Sequence, residues 1–165
     1  MDRYEEFLRY DLVTYRREIR KLFDDNSNLM FPNNSSEHAT AILIEIFRHA
    51  TQNVRVFSRN LSKEAWANKE LQRELIRAQA RGVTIEIAIQ ESDISENSIK
   101  NLLEFLPISV LCNCSPEVDF NFVVADGKML RFESDVKQYH AVASANSTQL
   151  AQVLNEAYEL FTGAA

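Results

Sequence analysis

Glycine is scarce in this chain: three residues in 165. A glycine-rich loop that cradles phosphate through its backbone needs several glycines close together, so that class of nucleotide site is excluded. Cysteine is nearly as rare, with Cys112 and Cys114 separated by one residue. One close pair makes no disulfide framework, and no further ligands stand near it in sequence to complete a metal site. Small core or half-buried thiols are the expectation, with no metal and no cofactor. No leader-like segment occurs, nor any apolar run long enough to cross a bilayer. A soluble cytoplasmic protein with reduced cysteines and no membrane association is therefore expected. Positive charge is also in deficit: 18 Lys and Arg against 24 Asp and Glu, a formal net charge of −6. Phosphate attraction needs local positive charge, and the only cluster is Arg16, Arg17, Arg20 and Lys21. Acidic residues flank it on the same helix, so a solvated helical face is expected and no strong nucleic-acid binding.

What is present is ordinary globular composition, 45% apolar and 25% charged, in a length that one domain with a proper core accommodates. Tyr4, Phe7, Leu8, Leu12, Tyr15, Ile19, Leu22 and Phe23 recur at steps of three and four, which predicts one long amphipathic helix. "FPNNSS" reads as a loop. Asn34 and Glu37 have capping-box spacing, and the stripe Ala39, Ile42, Leu43, Ile46, Phe47, Ala50 predicts a second helix. "NVRVFS" and "VTIEIAI" read as strands, separated by a helix carrying Leu71, Leu75, Ile76 and Ala78 that Gly82 stops. "DISENSIKNLLEFL" reads as a helix halted by Pro107, and "SVLCN" as a strand. Asp126-Gly127 marks a hairpin between two alternating runs. "YHAVASAN" is a further strand. A last helix is predicted to bury Leu150, Val153, Leu154, Ala157 and Phe161. The order α-α-β-α-β-α-β-β-β-β-α indicates an α/β fold, a mixed β-sheet sandwiched by helices, over residues 36–165. Residues 1–35 form an N-terminal helical extension.

The stretch "DFNFVVADGKMLRFE" carries the functional question. Asp119 and Asn121 sit two apart, on one face of an otherwise apolar strand. Asp126 opens the turn. Each has a plain reading: polar residues where a strand leaves the core, and a turn aspartate. Ser144 and Asn146 equally suit the approach and cap of the last helix. His140 suits an ordinary strand position, His38 a first helical turn, His49 the negative end of a helix dipole, and Trp66 a core plug.

The order of pieces, "NVRVFSRNLSKEAWANKELQRELIRAQARGVTIEIAI", then "FNFVVADGKMLRFE", then "AVASAN" and a helix, resembles a phospholipase D-like domain over residues 36–163. Active members of that family use His-x-Lys-x4-Asp followed by Gly-Ser-x-Asn. The histidine attacks phosphorus and the lysine, serine and asparagine hold the phosphoryl oxygens. Aligned on Asp126, the resemblance puts Asp119 at the histidine position and Asn121 at the lysine position. Ser144 and Asn146 then match Gly-Ser-x-Asn, with Ala143 for glycine and a longer spacing. It implies a degenerate site of Asp119, Asn121, Asp126, His140, Ser144 and Asn146, with no catalytic residues. Single-motif members pair two motifs across a two-fold axis, so the resemblance also implies a homodimer. The expected function is a non-catalytic binding or scaffolding domain, with a protein partner able to bind through the N-terminal helix. The alternative is a phosphodiesterase or nuclease using Asp119, His140 or a partner chain's residues.

Overall fold

A computed structural model describes residues 2–91, 99–112, 114, 118–135 and 140–163. Seven strands form one mixed sheet in the order β1-β7-β6-β5-β2-β3-β4 among these residues. They are β1 (Phe31–Asn33), β2 (Asn53–Ser58), β3 (Thr84–Ile89), β4 (Ser109–Leu111), β5 (Asn121–Ala125), β6 (Met129–Asp135) and β7 (His140–Ser144). β2, β3 and β4 run parallel, and the pairs β2–β5, β5–β6, β6–β7 and β7–β1 are antiparallel. One face is packed by α2 (Leu12–Asp24), α3 (Ser36–His49) and α5 (Lys69–Ala80), the other by α7 (Thr148–Thr162). The short helices α1 (Arg3–Arg9), α4 (Lys63–Trp66) and α6 (Lys100–Phe105) complete the chain. The architecture is the expected α/β sandwich with helices on both faces of a mixed sheet. No described helix is long and apolar enough to cross a membrane.

The N-terminal stripe is two helices rather than one. Asp2 accepts from the Glu5 N–H at 3.0 Å and Asp11 from the Thr14 N–H at 2.7 Å, so each aspartate caps its own helix, with Tyr10 extended between them. The apolar period runs through the break because both helices bury the same side. Phe7, Tyr15, Ile19, Leu22 and Phe23 join the same core as the sheet, while Tyr4 and Leu8 stay exposed. "FPNNSS", expected as a loop, holds β1 on the sheet edge beside β7. Pro32 is tolerated there because an edge strand has one side without ladder bonds, and its carbonyl accepts from Tyr15 Oη at 2.9 Å. Ser35 rather than Asn34 caps α3.

α3 buries its whole predicted stripe and also Glu45, because it lies between α2 and α5. The basic cluster on α2 is accordingly not a purely solvated face. Arg16 reaches Glu70 at 2.7 Å, Arg20 reaches the buried Glu45 at 3.1 Å, and Arg48 links Glu45 to Glu74. Trp66 plugs the core edge-on to Phe47. His49 bridges the Glu45 carbonyl and Asp24, and His38 stacks on Tyr15 at 3.8 Å, where burial lowers its pKa. The predicted face of α7 holds except at Val153, with Leu150, Ala157 and Phe161 packed half-buried against the core. Ala151, Leu154 and Tyr158 are buried, whereas Val153 is 57% exposed. Arg55 lies over the Tyr158 ring at 5.1 Å. The expected helix over 93–106 is α6 from Lys100 onward, and residues 92–98 lie outside the described residues.

The β5–β6 hairpin is the structural anchor of the central strands. Asp126 and Gly127 both have positive φ, 55° and 66°, and with Lys128 they make the three-residue connection between Ala125 and its partner Met129. The Asp126 carboxylate accepts the N–H groups of Thr51, Gln52 and Asn53 at 2.8, 2.8 and 3.0 Å, in the turn that leads from α3 into β2. Asp126→Ala loses these charge-assisted bonds and strains the turn, so unfolding in urea should show a loss of about 2–3 kcal/mol. Asp126→Asn keeps a residue that tolerates the left-handed turn and should lose roughly half as much. An unchanged midpoint for the alanine variant would contradict the anchoring role.

Candidate functional site

β5 lies between β2 and β6, and its side chains alternate between the helical layers. Val123 and Ala125 enter the core under α3, and Phe122 and Val124 pack toward α7. Asn121, at the start of the strand, shares the α3 side with Val123. Its Oδ1 accepts the backbone N–H of Arg59 at 3.0 Å, just beyond the end of β2. Asp119 is 79% exposed and stands 3.6 Å from the Arg59 guanidinium, which also faces Glu91 at 3.8 Å.

Opposite Asn121 on β6 is Glu133, and opposite Val123 is Arg131. Both charged side chains are 6% exposed. Arg131 Nη2 donates to Glu133 Oε2 at 2.6 Å and its Nε donates to Asn33 Oδ1 of β1 at 2.6 Å. Asn33 in turn donates to the Ser35 carbonyl at 3.0 Å. Neither Arg131, Glu133, Asn33 nor Arg59 stands among the six residues expected from sequence. The available signal was the alternation of "MLRFESD": two opposite charges, two apart, fall on the core side of a strand.

His140 opens β7 beside Asp135, near the same end of the sheet. It is exposed, two strands from Asn121, and lines an open groove of about 400 Å³ with Tyr4, Leu8, Pro32, Phe132 and Ser134. Asp126, Ser144 and Asn146 lie at the opposite end. Ala125 pairs with Met129 and Leu130 with Ser144, which places Ser144 level with the hairpin turn. The Ser144 side chain is fully buried, its Oγ accepting the Asn146 N–H at 3.2 Å. Asn146 also reaches the Asn26 carbonyl. The six residues therefore divide into two groups, Asp119, Asn121 and His140 at one end, Asp126, Ser144 and Asn146 at the other.

The first group sits in an acidic surrounding. Asp119, Glu91 and Glu133 are set against Arg59 and Arg131, and those two guanidiniums already face carboxylates. A phosphodiester brought to Asp119 would meet like charge. Among the described residues no cluster of three or more His, Cys, Asp and Glu could hold a metal ion. Cys114 is buried, and that burial raises its thiol pKa, which disfavours the thiolate needed for ligation or attack.

No protein-family model matches the chain, and no curated protein does. Solved structures do. NucT from Helicobacter pylori superposes with a TM-score of 0.61 at 11% identity, over 81% of this chain and 96% of that one. TrmBL2, an archaeal chromatin protein with a novel mode of DNA binding, gives 0.59 at 12% identity, over 90% of this chain and 59% of that one. Nuc from Salmonella typhimurium, a phospholipase D family member, gives 0.58 at 14% identity over 81% and 93%. With its mixed seven-stranded sheet between helices, the chain has a phospholipase D-like fold.

Proposed function

We propose that the chain is a non-catalytic binding or scaffolding domain, a cytoplasmic homodimer in which the reactive end of a phospholipase D-like fold serves as structure. The observation that carries this reading is the start of β5. Asn121, at the lysine position of the resemblance, spends its amide oxygen on the Arg59 N–H. Asp119, at the histidine position, is a solvated carboxylate beside Arg59. A nucleophile needs an adjacent base or a lowered pKa, and its transition state needs positive charge directed at the phosphoryl oxygens. The neighbouring Arg131 is buried and held by Glu133 and Asn33. Absence of one such charge typically costs several kcal/mol of barrier, hundreds-fold or more in rate.

The reading predicts no turnover of bis-p-nitrophenyl phosphate or single-stranded DNA above blank, with chelator present to silence contaminating metal nucleases. Hydrolysis that survives repurification and disappears in Asp119→Ala or His140→Ala would establish a phosphodiesterase with an atypical site instead.

Weak binding to generic duplex DNA is part of the same proposal. The chain carries a net charge of −6, and Arg16 and Arg20 of its basic cluster are paired to glutamates of α5 and α3. The DNA binding named for TrmBL2 belongs to that protein. A fluorescence titration in physiological salt should give a Kd no tighter than the ~10⁻⁴–10⁻⁶ M of nonspecific association. Submicromolar affinity with a steep salt slope would contradict it.

A further inference from the structure

α3 carries a histidine near each end, and each touches α2. Two of the three histidines in the chain therefore sit at one helix–helix seat. His49 is the last residue of α3. Its Nε2 stands 2.8 Å from the Asp24 carboxylate at the end of α2, and its Nδ1 stands 2.9 Å from the Glu45 carbonyl. Glu45 Oε2, buried and without a hydrogen-bond partner among the described residues, lies 3.5 Å from the same Nδ1. A carbonyl and a carboxylate only accept, so both ring nitrogens must donate for both contacts to form, and a neutral imidazole has a single N–H. The arrangement is complete only when His49 carries its positive charge. The negative end of the α3 dipole favours that charge. Arg20 and Arg48 donate to the other Glu45 oxygen, Arg81 donates to the carbonyls of Phe47 and Ala50, and Lys128 donates to Asn26. Each of these cations has its own acceptor, and the polar atoms that meet the imidazole are oxygens.

His38 has the reverse requirement. It lies in the first turn of α3, at the positive end of the dipole. Its ring is flat on Tyr15 of α2, with centroids 3.8 Å apart and planes within 10°. Its Nδ1 is buried with no hydrogen-bond partner among the described residues, so a second ring N–H would be a buried donor without an acceptor. Burial holds its pKa below the ordinary imidazole value, against the opposite pull of Glu37. Tyr15 stays a neutral phenol: burial pushes its pKa far up, with Arg131 of β6 acting the other way, and its Oη donates to the Pro32 carbonyl. The α5 carboxylates Glu70 and Glu74 face Arg16 and Arg48. The Tyr15 face attracts a cation weakly, while the bare Nδ1, the dipole and the burial all oppose one.

We propose that the seat of α2 on α3 is a proton-controlled contact, weakened when His38 gains a proton and weakened again when His49 loses one. Tyr15, Ile19, Leu22 and Phe23 are the side of α2 buried in this seat, so a partner that meets that side must first loosen it. The inference concerns the N-terminal helices and stands apart from the absence of catalysis.

Local opening of α2 is read by amide hydrogen exchange on the full chain between pH 5 and pH 8. Each rate is divided by that of the unfolded chain at the same pH, with α7 as the control. The imidazole is the side chain that ordinarily changes charge in that window. Because the His38 value is lowered, its neutral ring favours the seat in full above the ordinary 6.5, and that contribution is lost as pH falls. His38→Phe keeps a flat ring that cannot gain a proton. It should protect α2 about two- to fivefold better than the unaltered protein at pH 5 and equally at pH 8. His49→Gln presents one donating nitrogen. It should protect α2 about two- to fivefold less than the unaltered protein at pH 6 and equally at pH 8. α7 should be unchanged throughout. Protection of α2 that tracks α7 at every pH, or that either substitution leaves as it was at the lower pH, would overturn the proposal. A deficit in His49→Gln that persists undiminished at pH 8 would mark a plain structural contact and overturn it as well.

Discussion

The buried pair between Arg131 and Glu133 is the constraint on which this end of the molecule depends. Burying two opposite charges is costly unless geometry is good and the remaining hydrogen-bonding positions are met. Here the guanidinium donates at 2.6 Å to Glu133 and at 2.6 Å to the amide oxygen of Asn33. The consequences reach beyond β6. Asn33 belongs to the edge strand, and its own amide holds the Ser35 carbonyl at the start of α3. One guanidinium thus links the hairpin, the sheet edge and the N-terminus of the most buried helix. Arg131, opposite Val123 on β5, is thereby committed to contacts within the fold.

β5 is anchored by a polar side chain at or just beyond each of its ends. Asn121 takes a backbone N–H just after β2, and Asp126 takes three at its start, from Thr51, Gln52 and Asn53. The two polar side chains clamp the backbone flanking the neighbouring strand, while the apolar residues between them fill both cores. A phospholipase D-like strand that is polar at its ends can therefore be explained by strand anchoring. The exposed Asp119 and His140 take no part in that clamp.

Much of the fold was legible in the sequence because its signals were local. The α3 stripe, the Gly82 stop and the Asp126-Gly127 turn each specify their element within a few residues. β1 was not legible: three residues containing a proline carry no period, and only pairing with β7 makes them a strand. The break at Tyr10 was hidden because burial on one common side preserves the period across two caps. Of the predicted site residues, Asn121 begins β5 and Asp119 lies just before it, as their spacing in the sequence implied. Ser144 and Asn146 lie at the other end of the sheet, and motif spacing does not state at which end a residue lies. The burial of Tyr158 was not legible, and its partner Arg55 stands about a hundred residues away in sequence, where periodicity carries no sign of it.

The central claim is that the charges at this end of the sheet are structural, and Glu133→Gln tests it most directly. The substitution keeps the shape of the side chain and leaves Arg131 buried without its counter-charge. Equilibrium unfolding in urea should show a loss of about 3–5 kcal/mol, as breaking one partner of a buried pair does. Charges retained for a ligand's sake rather than the fold's tend to be held at a cost in stability. Unchanged or increased stability in Glu133→Gln would therefore contradict the account.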